Sequence, residues 1–144
     1  MITRKHRALL VASSLIASGI GASILFAPAQ FHATHGIELP ENASLLSEVR
    51  APGGALLLLG VLMGLGAFLR RWTHTSTVFV TAVYLSYGVS RLWSLAVDGA
   101  PDPGLVGATA IELLIGTLGA IALRRSPERR ATPSVLPTLS GKAA

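Results

Sequence analysis

The stretch APGGALLLLGVLMGLGAFL, residues 51–69, contains no charged residue and is followed directly by Arg70 and Arg71. A helix of about 20 residues, rising ~1.5 Å per residue, crosses the roughly 30 Å hydrocarbon core of a bilayer. Inside lipid, a long apolar segment without alternation of period two satisfies its backbone groups as a helix. We therefore predict that residues 51–69 form a transmembrane helix.

Three other stretches, approximately residues 8–27, 75–97 and 104–123, are also long and apolar enough to cross a membrane. The whole chain is 51% hydrophobic and 13% charged, which is unlike a soluble domain. We expect an all-α integral membrane protein, a four-helix bundle of up-down-up-down order within residues 1–125. Residues 126–144 lack apolar periodicity, so we expect a disordered cytoplasmic tail.

The first outer loop contains signals for the start of a helix. Pro40 and Asn42 favour a short helix over approximately residues 42–50 that runs into the next span. Before them, Ala27-Pro28-Ala29 matches a signal-peptide cleavage pattern, which would remove the first apolar stretch. That stretch exceeds the roughly 7–15 apolar residues of a signal peptide, so we favour a retained membrane helix.

Basic residues mark one side of the predicted membrane domain. The net charge is +5, and lysine and arginine gather near the N-terminus, at Arg70 and Arg71, and after Leu123. Because positively charged flanks stay in the cytoplasm, we expect both termini there, in a bacterial inner membrane. The outward loops then carry the acidic residues, with Arg50 as an exception. These are Glu38, Glu41, Glu48, Asp98 and Asp102. The basic clusters are not interleaved with aromatic residues, so we expect membrane lipids and no nucleic acid as partners.

Several kinds of chemistry find no support in the sequence. The chain has no cysteine, which excludes disulfides and thiol redox catalysis, and it lacks nucleotide-binding, hydrolase and haem-binding motifs. His32, His35 and Glu38 have a spacing that could place three metal ligands on one helix face, but Gly36 would interrupt that helix. We therefore predict neither a metal nor a cofactor.

Small residues recur at a spacing of four along three of the predicted spans. The pairs are Ser14 and Ser18, Ala17 and Gly21, Gly60 and Gly64, and Gly116 and Ala120. Such pairs let helix backbones approach closely. We expect them to pack helices within one chain, with a homo-oligomer formed through one such face as the alternative.

One side of the third predicted span is polar. At about 100° per residue, its polar residues fall within an arc of roughly 80°. They are Tyr84, Tyr87, Arg91, Ser94 and Asp98. A stripe of this kind must face the bundle or a water-filled cavity.

Two charges lie at similar depth in neighbouring spans. Arg91 is about six residues, or ~9 Å, from the outer end of its span, and Glu112 is about eight residues, or ~12 Å, into the next. A lone charge near the bilayer centre costs at least ~3 kcal/mol, so neighbouring opposite charges pair. We predict an ion pair between Arg91 and Glu112.

A helix irregularity is expected at the same level. Pro52 has no N–H and leaves the carbonyl of Glu48 without its helical donor, which favours a kink. Gly53 and Gly54 permit a bend and let a backbone or a ligand come close. We expect Glu48 and Arg50 to join the polar residues of the other helices there.

Our leading hypothesis is a non-enzymatic protein that binds a lipid or a small amphipathic ligand in a polar pocket on the periplasmic side. The pocket would be built from Arg91, Glu112, Glu48, Arg50, Tyr84 and Tyr87. In it, Arg91 would contact an acidic or polar head group, Glu112 would neutralise Arg91, and Asp98 would cap the outer rim. One alternative is that these residues only fix the packing of the helices. Others are an accessory subunit of a larger membrane complex and an isomerase-like enzyme that uses Glu112.

The chain resembles the bacterial domain-of-unknown-function 4345 family of small four-helix membrane proteins. The resemblance spans approximately residues 9–123. It is carried by SEVRAPGG at residues 47–54, by the pattern RxxSxxxDGxPxP from Arg91 to Pro103, and by Glu112. It implies a four-helix membrane fold and no particular activity. The architecture is also loosely similar to DoxX-like membrane proteins, some of which are linked to oxidoreductase complexes, but the lack of cysteine argues against any thiol-based role here.

Overall fold

The computed structural model describes residues 3–125, and this part of the chain is all-helical. Its elements in chain order are α1 (Arg4–Phe26), α2 (Pro28–Ala33), α3 (Ala43–Phe68), a 3-10 turn (Arg70–Trp72), α4 (Thr73–Asp98) and α5 (Pro103–Arg125). The tail predicted for residues 126–144 lies outside the described residues.

Three helices, α1, α3 and α5, are long and apolar enough to cross a membrane, which indicates a membrane protein. Helix α4 has 26 residues, as α3 does, but is not among these three. Several of its polar side chains point into the protein: Ser76 and Thr77 are fully buried, and Tyr84 is 5% exposed. Part of the polar composition of α4 is therefore buried against the other helices.

Local signals explain where α2 and α3 begin. The side chain of Asn42 accepts a hydrogen bond from the Leu45 amide at 3.1 Å and so caps α3. The short helix predicted over residues 42–50 and the span 51–69 form one continuous helix that has Pro52 inside it. Helix α2 was not predicted, although Pro28 in its first turn is a common start signal.

Helices α1 and α3 form an antiparallel pair held by close backbone contacts. Gly21 of α1 lies against the Leu57 backbone, and Gly60 of α3 lies against Ser18, so a Cβ atom at either glycine would collide with its neighbour. Gly64 faces Ser14 in the same way. The prediction that small residues pack these helices within one chain is confirmed.

Helices α4 and α5 form a second antiparallel pair. Here a leucine of one helix covers a glycine of the other: Leu113 lies over Gly88, and Leu85 lies over Gly116. Close contacts of this kind therefore hold each helix pair together at several positions.

The two pairs are joined by hydrogen bonds at the end of the bundle that holds the 3-10 turn, which we call the turn end. Ser76 Oγ donates to the Leu62 carbonyl at 2.7 Å, and His6 Nε2 lies 2.8 Å from Thr77 Oγ1. At the opposite end, the loop end, His35 Nδ1 lies 3.5 Å from Asp102 Oδ1. Between these two ends, one further hydrogen bond joins α1 to α4.

Candidate ligand-binding cavity

A cavity of about 220 Å³ lies between the two helix pairs. It is lined by Ile16, Ala17, Ile20, Leu56, Val83, Tyr84, Tyr87, Ala108, Ile111 and Glu112. Ile16 and Ile20 of α1 and Ile111 of α5 are 36–51% exposed, so the cavity opens at the side of the bundle, between α1 and α5. A molecule could therefore enter laterally.

Only three of the lining side chains carry polar atoms: Tyr84, Tyr87 and Glu112. The Tyr84 hydroxyl is already engaged, because it donates to the Ser13 carbonyl of α1 at 2.7 Å. The Tyr87 side chain is 38% exposed and has no hydrogen-bond partner among residues 3–125. Tyr87 and Glu112 are thus the remaining polar side chains of a wall that is otherwise almost entirely apolar.

The Arg91–Glu112 ion pair expected from the sequence is present. Arg91 Nε donates to Oε1 and Oε2 of Glu112 at 3.2 and 3.0 Å. The Glu112 side chain is 13% exposed, whereas that of Arg91 is 33% exposed. Glu112 therefore stands at the cavity wall with its counter-ion behind it, and Arg91 itself is not part of the lining. A partly buried carboxylate of this kind accepts hydrogen bonds from a ligand while keeping its charge compensated.

The structure does not bring Glu48 and Arg50 to this cavity. Glu48 is exposed on α3, and Arg50 turns toward the end of α1, where its Nη1 donates to the Leu25 carbonyl at 2.8 Å. The last carbonyls of a helix lack helical donors, and α1 ends at Phe26, one residue after Leu25. The open carbonyl of Leu25 therefore explains the orientation of Arg50.

The remaining residues of the predicted polar stripe also lie apart from the cavity. Ser94 Oγ donates to Asp98 Oδ2 at 2.8 Å, and both side chains are exposed on the last turns of α4. This contact is local to one helix, and no described bond joins it to the Arg91–Glu112 pair. The predicted stripe thus has three parts along α4. Tyr84 is buried, Tyr87 lies at the cavity wall, and Ser94 and Asp98 lie at the exposed end of the helix.

The proline and glycine segment of α3 serves contacts between helices. Gly53 is buried against α1, where a Cβ would lie 2.8 Å from the Leu25 amide nitrogen. Gly54 lies near the same leucine, and Pro52 lines a shallow groove between α3 and α4. Gly53 therefore admits a neighbouring backbone, and neither glycine lines the cavity.

The histidines of the α2 region make separate contacts. His32 Nδ1 lies 2.8 Å from the Pro28 carbonyl, whereas His35 lies next to Asp102. Within residues 3–125, no group of three or more histidine or acidic side chains is placed to hold a metal ion.

Sequence reasoning missed most of the cavity wall. Ile16, Ile20, Ala108 and Ile111 are ordinary residues of apolar helices and carry no local signal that separates a cavity wall from a lipid-facing surface. Only the way in which two helix pairs meet brings them together.

Comparison with known proteins gives a family and no activity. No curated protein and no solved structure matches the chain. The profile of a family described as Domain of unknown function (DUF4345) matches residues 6–123, which include nearly all of the five helices. The chain therefore belongs to the DUF4345 family.

Proposed function

We propose that this protein crosses a bacterial inner membrane four times and keeps both termini in the cytoplasm. Helices α1, α3 and α5 have the required length and apolarity, and α4 has the length. The antiparallel contacts within and between the pairs support alternating directions. Arg70 and Arg71 lie at the turn end, as do the basic residues at the start of α1 and the end of α5, which supports a cytoplasmic turn end.

We further propose that the protein is not an enzyme and that its cavity binds a lipid or a small amphipathic molecule. The observation that carries this proposal is an apolar cavity whose wall contains one paired carboxylate. A cavity of roughly 150 Å³ with apolar walls binds benzene, so about 220 Å³ admits a ring with a short chain, or part of one lipid chain.

The wall also limits the chemistry of the ligand. Glu112, paired with Arg91, would accept a hydrogen bond from a hydroxyl or amide group and would disfavour an anion. Tyr87 would supply a second hydrogen bond. The proposed ligand therefore has an apolar body and a neutral or cationic donor group. This head group differs from the acidic one expected at Arg91 from the sequence.

A variant that fills the cavity tests this proposal directly. The wild-type protein, Ala108→Leu and the matched control Ala110→Leu are purified in mild detergent, and native mass spectrometry records the small molecules that stay bound. Ala108 lines the cavity, whereas Ala110 is exposed on the same helix outside it. We expect the wild type and Ala110→Leu to retain an apolar molecule, and Ala108→Leu to lose it.

Two other results would contradict the proposal that the cavity binds a ligand. An empty cavity in all three proteins, together with a partner protein at fixed stoichiometry, would favour an accessory subunit. Retention of the same molecule by Ala108→Leu would show that it binds elsewhere on the protein.

A further inference from the structure

A second groove lies outside the cavity, between the C-terminal end of α1 and the first turns of α3. Its volume is about 550 Å³. Its wall includes Leu25 from α1 and, from α3, Ala43, Ser47, Arg50, Ala51 and Ala55. Ala43, Ser47, Ala51 and Ala55 recur about once per helical turn and leave an open channel along α3. Ser47 and Arg50 lie in the part of this channel nearer the loop end.

Arg50 enters this groove with most of its hydrogen-bonding capacity free. One Nη1 bond goes to the Leu25 carbonyl, whereas a guanidinium group has five N–H donors. Among residues 3–125, Glu112 pairs with Arg91 and Asp102 lies next to His35, and no carboxylate in this part of the chain contacts Arg50. The groove therefore presents a positive charge above an apolar channel.

The depth of Arg50 matches the phosphate level of a bilayer. Arg50 lies 18 residues before Phe68, or ~27 Å along α3, and the hydrocarbon core is ~30 Å thick. If the turn end lies at the cytoplasmic boundary, Arg50 lies at the opposite boundary, where lipid phosphates and glycerol groups begin. This step rests on the proposed membrane topology and not on the cavity ligand.

We propose that this groove binds one phospholipid of the outer leaflet. Arg50 and the Ser47 hydroxyl hold the phosphate, because guanidinium groups form paired, charge-assisted bonds with phosphate oxygens. One acyl chain lies in the channel over Ala51 and Ala55. The site is distinct from the central cavity, since the two share none of their lining residues.

Native mass spectrometry of the full-length protein tests the site. The delipidated protein is titrated with dioleoyl phosphatidylglycerol, and separately with dioleoylglycerol, which lacks the phosphate. We expect one phosphatidylglycerol to bind to the wild type and dioleoylglycerol to bind at least about fivefold more weakly, because the charge-assisted bonds are missing. Arg50→Gln should weaken phosphatidylglycerol binding by a similar factor.

A second variant separates binding from folding. Ala51→Phe blocks the channel but keeps Arg50 and its bond to Leu25, and it should also weaken binding about fivefold. Arg71→Gln, at the turn end, is the matched control and should bind as the wild type does. If Arg50→Gln lowers the melting temperature strongly, Ala51→Phe decides the question.

Several results would overturn this proposal. Unchanged phosphatidylglycerol binding in Ala51→Phe would do so, as would equal weakening in Arg71→Gln, which would indicate general charge attraction. Full displacement of the lipid by inorganic phosphate would show an anion site without a lipid channel. The molecule retained in the central cavity is recorded in the same spectra, and its response to Ala108→Leu remains a separate result.

Discussion

The contact within each helix pair and the contact between the pairs are built in different ways. Within α1 and α3, glycines such as Gly21 and Gly60 bring the backbones so close that a single added methyl group would collide. Between the pairs, one such close approach occurs at the turn end, where Gly66 meets Ser76. The other joining contacts come from longer reaches of side chains: Tyr84 donates to the Ser13 carbonyl, and Ser76 donates to the Leu62 carbonyl. The cavity lies between the pairs and not within either one.

This difference means that the contacts that stabilise the protein most and the space that can hold a ligand lie in different parts of the bundle. A surface of glycine and serine leaves no space for a ligand, but it gives two backbones continuous contact. Farther from the turn end, contacts through longer side chains leave the space of the central cavity between the pairs. The central cavity therefore belongs to the interface between the pairs, whereas the groove at Arg50 lies at the end of the α1–α3 contact.

The largest effect should come from closing the space within a pair. We expect Gly21→Ala to lower the free energy of unfolding by roughly 3 kcal/mol, because the new methyl group meets the Leu57 backbone, which cannot rotate away. Gly19→Ala is the matched control on the same helix: nothing lies near its Cβ, and alanine favours helix by about 0.5–1 kcal/mol. Equilibrium unfolding in detergent measures both variants, and equal stability of the two would mean that α1 and α3 do not pack as described.

The next effect concerns the charges at the cavity wall. Arg91→Gln leaves the Glu112 carboxylate without its cation, and we expect a loss of about 2 kcal/mol, less than for a fully buried pair because Arg91 is one-third exposed. The double variant Arg91→Gln with Glu112→Gln should recover about half of this loss, since neither charge remains. A double variant less stable than Arg91→Gln would contradict pairing as the reason.

A smaller effect distinguishes the two tyrosines. Tyr84→Phe removes the bond to the Ser13 carbonyl that joins the pairs, and we expect a loss of about 1 kcal/mol in unfolding free energy. Tyr87→Phe should change stability by less than about 0.3 kcal/mol, because no bond to the described residues is lost. It should instead weaken retention of the cavity ligand in native mass spectra. If Tyr87→Phe were less stable than Tyr84→Phe, Tyr87 and not Tyr84 would provide the contact that joins the pairs.

The smallest effect is expected at the loop end of α4. Ser94→Ala removes an exposed bond to Asp98 within one helix, and such bonds contribute less than about 0.5 kcal/mol. Thermal unfolding and ligand retention should both stay near their wild-type values. A clear loss of bound ligand would instead extend the site beyond Arg91 to the end of the helix.

The parts of this structure that could be predicted from the sequence follow from strong physical constraints. Arg91 and Glu112 lie in apolar helices joined by a short loop, so their depths match and the cost of a lone charge in lipid forces them together. Asn42 predicts the start of α3 because its side chain suits a helix cap.

The positions of Glu48 and Arg50 could not be predicted in the same way. Depth follows from counting residues, but the rotation of α3 about its axis does not. That rotation is set by Gly21 and Gly60, which place α3 against α1 and turn Arg50 toward the Leu25 carbonyl. Sequence spacing therefore placed these charges on the correct helix, but with the wrong neighbours.

Helix α4 has a consequence for how the protein is made. In the proposed topology, the buried hydroxyls of Ser76 and Tyr84 are satisfied only when the carbonyls of Leu62 and Ser13 are there to accept their bonds. The isolated helix would therefore partition poorly from the translocon into lipid. Because α1 and α3 are synthesised first, they can pack together in the membrane before α4 is inserted, and α4 can then pack against them. Mutations that loosen the α1–α3 pair should then reduce the amount of inserted protein as well as its stability.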